Sequence, residues 1–239
     1  MTAAAMKELF LTLYDKVTNL AAPGYEDSEI ITFLNKAQLQ LVKQRYNHKG
    51  NKYRDGVEAT EKRRKDLSEL HRNVELIGGP SNTSSQVGVL PKGEFFDLPD
   101  RFLYTLMEEV TINHEDDCFS GNRIKVKPIT HDEYNAYILN PFKKPDETIA
   151  WRLDFSGDDT PLGANELRHE VVVGDNITVD KYYIRYVKMP NDIDLVNNVT
   201  SELHESIHEE IVDIAVRIAT GITDPQSYQI KTQEAMQTE

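Results

Sequence analysis

The residues of this chain best suited to chemistry are His204, Glu205 and His208, which match the His-Glu-x-x-His pattern of zinc-dependent hydrolases. Residues four apart lie on one face of an α-helix, so two imidazoles can bind one zinc ion while the glutamate activates its water. A zinc-dependent hydrolase using His204, Glu205 and His208, with the two histidines as metal ligands, is therefore one functional alternative.

The residues around this pattern argue against a zinc site. Glu202 precedes the pattern and Glu209-Glu210 follow it, and such a charged flank indicates solvent rather than a buried metal site. The extended zinc-protease pattern requires a glycine and a third histidine where this chain has Ile211 and Ile214. We therefore predict no catalytic residue, no metal site and no cofactor, and we interpret both histidines as structural or interface residues.

The same stretch is predicted to form the longest amphipathic helix of the chain, beginning near Ser201. Its apolar residues recur at the spacing of one helical face, whereas Glu205, Glu209 and Asp213 point the other way. The apolar stripe consists of Leu203, Ile207, Ile211, Ile214, Ile218 and Ile222, with His204, His208, Ala215 and Ala219 at its edge. We predict that the stripe packs on other helices and that Glu205, Glu209 and Asp213 contact a partner.

Two N-terminal helices are predicted to supply the surface on which this stripe packs. The second helix begins near Asp27 or Ser28, either of which can cap its first turn. The predicted apolar positions are Leu9, Phe10, Leu13, Val17 and Leu20 in the first helix, and Ile30, Phe33, Leu34, Ala37 and Leu41 in the second. A helical hairpin of this kind is stable only when a third element covers its apolar faces.

The middle of the chain is predicted to be an antiparallel sheet of about four to six strands. Arg123-Ile124-Lys125-Val126-Lys127 alternates with the strict period of a strand, and one short helix is predicted at His131–Leu139. The strand Lys181–Val187 is partly apolar on both faces. We therefore predict that one face packs on helices and that the other meets a neighbouring sheet or subunit, with Tyr183 and Arg185 at that interface.

These elements predict an α+β fold class, in which an N-terminal helical hairpin and a long C-terminal helix form a helical layer beside a central antiparallel β-sheet portion. The predicted domains are a helical bundle layer from residues 1–75 and 200–225, and a β-rich portion with one short helix from residues 86–190. A flexible polar tail is predicted at residues 226–239. A single cysteine excludes an internal disulfide, so the fold must rest on its core.

Charge is unevenly distributed along the chain, whose formal net charge is −13. Residues 43–72 carry ten Lys and Arg against five Asp and Glu, whereas residues 191–239 carry ten acidic residues and two basic ones. The basic segment includes Lys62, Arg63, Arg64 and Lys65. This cluster has two interpretations, a solvated helix face or an electrostatic docking surface for protein or phosphate, and we include it among the predicted interface residues.

Three stretches of the chain together resemble the neck proteins of crAss-like Bacteroidetes podophages. They are Phe33–Gln38, Phe96–Phe102, and the strand Tyr182–Pro190 with the helix Leu203–Val216 that follows it. The resemblance implies a ring-forming head-to-tail connector, a dodecamer that docks under the phage portal protein and continues the DNA channel toward the tail. Another tail or neck component of the same virion is the structural alternative.

The resemblance also implies where the protein acts and with what. Its partners would be other copies of itself, the portal protein, other neck or tail proteins, and genomic DNA that passes without sequence-specific contacts. Its location would be the virion, and the host cytoplasm during assembly. No run of about 18 consecutive apolar residues occurs, so we predict no membrane partner. Opposite charges on separate surfaces suit a ring, because each copy presents two different patches to its neighbours.

Overall fold

A computed structural model describes residues 1–17, 24–46, 61–78, 92–114, 119–156 and 167–223. The chain is a mixed α+β protein, as predicted, and the described residues form five α-helices and one seven-stranded sheet. It divides into two compact units, one formed by Met1–His71 with Met189–Glu239 and the other by Arg72–Lys188. None of the helices in the described ranges is both long and apolar enough to cross a membrane.

The first unit is helical. Its helices are α1 (Ala3–Val17), α2 (Asp27–Tyr46), α3 (Glu61–Ser68) and α5 (His208–Thr223), and α5 contacts both α1 and α2. The predicted apolar stripe of α5 is confirmed from Leu203 to Ile214, whose members are buried, but Ile222 is 67% exposed. The predicted start of α2 is also confirmed.

The buried face of α1 differs from the prediction. Ala3, Met6, Phe10 and Tyr14 are buried, whereas Leu9 and Leu13 are only half-buried. The ring of Phe10 stacks on that of Phe33 in α2 at 6.3 Å between centroids and on Tyr14 at 6.0 Å. The aromatic side of α1 is therefore buried in preference to the side with the leucines, because aromatic ring pairs bury more surface than the neighbouring aliphatic side chains.

The segment that enters α5 is held on α2 by two amide side chains. Asn35 accepts a hydrogen bond from the Ile193 amide at 2.7 Å and donates one to the Ile193 carbonyl oxygen at 3.2 Å. Gln38 donates to the Asn191 carbonyl oxygen at 2.8 Å. Asn35 and Gln38 belong to one of the stretches that carry the resemblance. Their physical role is to provide hydrogen-bond partners for backbone groups of a segment that has no regular secondary structure.

The second unit is a sheet of strand order β1-β7-β3-β4-β5-β6-β2. The strands are β1 (His71–Ile77), β2 (Gly93–Asp97), β3 (Phe102–His114), β4 (Arg123–Pro128), β5 (Ile149–Ser156), β6 (Leu167–Val172) and β7 (Ile177–Lys188). The predicted antiparallel pairing is wrong at one place, because β4 and β5 are parallel. A parallel pair needs a crossover, which contains α4 (His131–Ile138), the short helix predicted there.

A second correction concerns the C-terminal end of the basic segment, for which the sequence predicts a charged helix as far as Arg72. Among the described residues this helix ends at Ser68, and His71 already begins β1, an edge strand next to β7 in the sheet. Val74 and Leu76 of β1 pack against the core of the sheet. A strand with only two inward apolar residues is easily missed, because its remaining residues are polar and its hydrogen-bond partner is about a hundred residues away in sequence.

The two faces of the sheet are covered differently. One face encloses a core that includes Phe96, Val110, Ile112, Tyr182 and Ile184. On the other face, α4 covers the part of the sheet formed by Trp151, Leu153 and Val172, and the rings of Tyr134 and Tyr137 contact Trp151. The remainder of that second face, formed by β7, β3 and β4, carries exposed polar residues.

A polar network lies within the enclosed face. Arg152 Nη1 lies 2.8 Å from Glu108 Oε1, and the Tyr182 hydroxyl donates to the same oxygen at 2.6 Å. His169 Nδ1 lies 2.8 Å from this hydroxyl, and His169 Nε2 lies 3.2 Å from a carboxylate oxygen of Asp154. These residues come from β3, β5, β6 and β7, which are not all neighbours in the sheet. The sheet must therefore curl so that the strands face one another across its interior.

The network raises the pKa of one member, Tyr182, and lowers the pKa of another, Asp154. Burial, reinforced by the Glu108 carboxylate, raises the pKa of the Tyr182 phenol well above its ordinary value. The hydrogen bond from His169 holds the pKa of the Asp154 carboxyl below its ordinary value, with further help from Arg152. Tyr182 is therefore neutral and Asp154 ionised at neutral pH, which fixes the donors and acceptors of this interior.

Candidate assembly surfaces

The histidine pattern does not lie on one α-helix. Glu205–Ile207 form a 3₁₀ turn, His204 is the cap that precedes it, and α5 begins only at His208. The spacing argument for a shared zinc ion therefore does not hold, because it requires both histidines within one α-helix. Within the described ranges, no three His, Cys, Asp or Glu side chains come together as a set that could hold a metal ion.

Both imidazoles already have local structural contacts. His204 Nδ1 accepts from the Ser206 amide at 3.3 Å and lies 2.9 Å from the Ser206 hydroxyl. His208 is 3% exposed, and its Nε2 lies 2.8 Å from the Leu203 carbonyl oxygen. The two residues thus close the turn that leads into α5, where helix-entry groups need partners. His208 is buried, as are Ala215 and Ala219, which are predicted at the same edge of the apolar stripe.

Glu205 in the 3₁₀ turn and Glu209 and Asp213 in α5 are all exposed, and we call these three residues the acidic ridge. The Glu205 side chain is 85% exposed and accepts from the Met1 amino group at 2.9 Å. The row points away from the buried stripe, as the periodicity indicates. The chemistry it offers is a line of carboxylates that could meet a cationic surface of a partner.

At least one cation of the basic segment forms ion pairs inside the helical unit. Arg45 of α2 forms ion pairs with Glu210 of α5 and, at 3.2 Å, with the fully buried Asp66 of α3. Lys62, Arg63 and Arg64 lie in α3, but their side chains fall outside the part of the chain that the structure describes. Lys65 in the same helix is exposed. The contrast between a basic segment and an acidic one is thus partly an internal contact.

Tyr183 and Arg185 lie on the face of β7 that no described helix of this unit covers. Arg185 is exposed and its Nε donates to Asn73 Oδ1 at 3.0 Å. Tyr183 is half-buried beneath the guanidinium of Arg123, which lies 4.2 Å from its ring centroid. The sheet therefore brings Arg123 of β4 onto the same surface as the two predicted residues.

This surface contains cations that the sequence prediction missed. Besides Lys181 and Arg185 of β7, it presents Arg123, Lys125 and Lys127 of β4, and we call these five residues the cationic face. Their carboxylate neighbours are Glu109, 3.6 Å from Arg123, and Glu75, 2.6 Å from Lys181. The signal was present in the strict alternation of β4, whose apolar partners Ile124 and Val126 point inward.

An exposed apolar pair was also missed. Leu139 is 85% exposed and Phe142 is 96% exposed, and both lie in the loop after α4. The loop is tightly hydrogen-bonded: the Phe142 amide donates to Asn140 Oδ1 at 3.0 Å, and the Lys143 amide donates to the Asn140 carbonyl oxygen at 3.0 Å. A large apolar side chain held outward by an ordered loop is typical of a contact surface.

The stretches that resemble neck proteins occupy ordered positions in both units, and the comparison with known proteins decides what they mean. Residues 1–232 match the family model described as phage tail ring protein 3/4. This chain belongs to that family. The resemblance to crAss-like phage neck proteins is thereby confirmed, and the chain is a structural phage ring protein.

Two curated relatives come from one phage. The chain is 31% identical over 228 residues to "Ring protein 4/5" of Bacteroides phage crAss001, covering 88% of each chain. It is 28% identical over 235 residues to "Ring protein 3" of the same phage, covering 92% of this chain and 95% of the relative. The ring-protein family therefore accounts for nearly the whole chain, including both compact units.

Proposed function

We propose that this chain is a ring-forming subunit of the head-to-tail connector, which docks under the portal protein and continues the DNA channel toward the tail. The observation that carries the proposal is the family match over residues 1–232, which takes in nearly the whole chain. Both curated relatives are named as ring proteins and share its length almost completely. In this proposal the subunit is not an enzyme and uses no cofactor.

The proposed ring is a dodecamer of a two-part subunit. α1, α2 and α5 form its helical layer, and the strands β1 to β7 form its β-rich portion. Each copy contacts the next through two different surfaces, as any ring of heterologous contacts requires. The acidic ridge, Lys65 with its neighbours in α3, and the Tyr183–Arg185 surface are the regions proposed for these contacts. Genomic DNA passes through the ring without sequence-specific binding.

The distribution of charge supports this role. The chain carries a formal net charge of −13, which limits attraction between a channel lining and the phosphates of DNA in transit. The partners in this proposal are other copies of the chain, the portal protein and further neck or tail proteins. The protein resides in the host cytoplasm during assembly and in the virion afterwards.

Mixing the purified chain with purified portal protein tests this proposal. We expect negative-stain images to show an added ring beneath the portal, and we expect sedimentation to show a complex larger than the portal alone. Connectors can stay monomeric until they dock, so a monomer without portal agrees with the proposal. A chain that stays monomeric and ignores the portal under all conditions would contradict it. A ring that forms without binding portal would indicate another neck or tail component.

A further inference from the structure

The acidic ridge and the cationic face are built to a similar spacing. Glu209 and Asp213 are four residues apart in α5, which corresponds to about 6 Å along the helix, and Glu205 lies in the 3₁₀ turn that precedes it. Arg123, Lys125 and Lys127 recur every two residues, which corresponds to about 6.6 Å per step along a strand. The two carboxylates of α5 are therefore spaced like neighbouring cations of β4, and Glu205 adds a third carboxylate before the helix begins.

Both rows are accessible in the isolated chain. Glu205, Glu209 and Asp213 are exposed on the helical unit, and Arg123, Lys125 and Lys127 are exposed on the sheet unit. Within the part of the chain that the structure describes, the five residues of the cationic face form ion pairs with two carboxylates, Glu75 and Glu109, so the cations outnumber them. The face thus keeps an excess of positive charge in a protein that is acidic as a whole.

We propose that the cationic face of one copy docks on the acidic ridge of the next copy in the ring. This inference rests on the proposed ring function and adds to it the pair of surfaces that meet. A ring requires two different patches that complement each other, and these two patches have opposite charge and matching spacing. Arg185 and the Tyr183–Arg123 stack lie at the flank of the contact, where an aromatic ring and an arginine add contact area.

Binding of DNA to the cationic face is the competing explanation. Phosphates would attract Arg123, Lys125 and Lys127 equally well. That explanation gives the acidic ridge no role, whereas a contact between copies uses both rows. The competing explanation also predicts that reversing the ridge has no effect on assembly, so the two can be separated by charge reversal.

Charge reversal in the full-length chain tests the contact. One variant reverses the ridge (Glu209→Lys with Asp213→Lys), a second reverses the face (Lys125→Glu with Lys127→Glu), and a third combines all four substitutions. Sedimentation velocity and negative-stain imaging, with and without portal protein, measure assembly. Charge-matched controls reverse exposed residues elsewhere: Glu8→Lys with Asp15→Lys in α1, and Lys36→Glu with Lys92→Glu.

The ridge and face variants, each alone, are expected to assemble at least about tenfold more weakly than the natural chain, because like charges then face each other. A mixture of the two is expected to recover assembly, since every contact in an alternating ring again joins opposite charges. The combined variant should recover for the same reason. The controls should assemble normally, and raising the ionic strength should weaken the natural assembly because exposed charge pairs are screened.

Each other outcome has a separate meaning. If the natural chain forms rings and the ridge and face variants do so equally well, the contact is wrong while the ring function stands. If only the face variant fails and mixing does not rescue it, the cationic face binds DNA or the portal, and the contact is again wrong. If the natural chain forms no ring with or without portal, the ring function itself fails.

Discussion

Replacing Ile211 with aspartate is expected to unfold the helical unit. Ile211 is fully buried in α5, the helix that contacts both α1 and α2. Loss of the apolar side chain alone costs about 2–5 kcal/mol, and burial of a carboxylate without a partner adds to that cost. The total is comparable to the entire stability of a typical domain, about 5–15 kcal/mol.

Urea denaturation followed by circular dichroism measures the effect. The matched control is Ile222→Asp, which makes the same substitution in the same helix at a residue that is 67% exposed. We expect the control to lose no more than about 1 kcal/mol of unfolding free energy. If Ile211→Asp kept both stability and assembly while His208→Ala abolished function, α5 would be a functional helix and not the core element described above.

Replacing Arg152 with methionine is expected to be the second most damaging change. The Arg152 guanidinium donates to Glu108 at 2.8 Å and to the Thr105 hydroxyl at 2.9 Å, and the Glu108 side chain is only 5% exposed. Removing the cation leaves a buried carboxylate whose same oxygen still contacts the Tyr182 hydroxyl at 2.6 Å and lies 3.5 Å from His169 Nδ1. Breaking a buried ion pair from one side typically costs about 3–5 kcal/mol.

Two further variants make the test specific. Arg123→Met removes an arginine whose ion pair with Glu109 is largely exposed, so we expect a loss below about 1 kcal/mol. The double variant Arg152→Met with Glu108→Gln keeps an acceptor for Tyr182 without the charge, and it should be more stable than Arg152→Met alone. A double variant less stable than the single one would show that the charge of Glu108 is not the cause of the damage.

The parts of the fold that follow from local periodicity could be predicted from the sequence. The apolar stripe was found because Ile207, Ile211 and Ile214 recur at helical spacing, and α4 was found because Thr130 can cap its start and Pro141 stops it. The point where α5 begins was not predictable in this way. The hydrogen bonds of His204 and His208 set it, and the amphipathic pattern continues through the 3₁₀ turn without a break.

The arrangement of the sheet depends on contacts between distant residues, which the pattern of one strand does not contain. The parallel pairing of β4 with β5 is an example. The buried network of Glu108, Arg152 and His169 was missed for a different reason, because charged residues are rarely buried and no short motif marks an ion pair between distant strands. Glu108 does share its strand parity with the buried Val110 and Ile112, and this parity was the available signal.

Only some residues of the assembly surfaces could be predicted from the sequence. The acidic ridge follows from helical periodicity, and Tyr183 and Arg185 follow from the alternation of β7. The cations of β4 could be assigned to the same surface only after the sheet placed β4 two strands from β7, with β3 between them. The pattern of one strand shows which of its residues share a face. The neighbouring strands determine which other side chains lie on that face, and therefore its charge.

A three-dimensional reconstruction of the virion neck and tail tests the central claim most directly. We predict a closed ring of copies of this chain between the portal and the tail, around the path of the DNA. Neighbouring copies should meet with Arg123, Lys125 and Lys127 of one against Glu205, Glu209 and Asp213 of the next. A virion in which the chain is absent, or occupies a position without ring symmetry, would contradict the account.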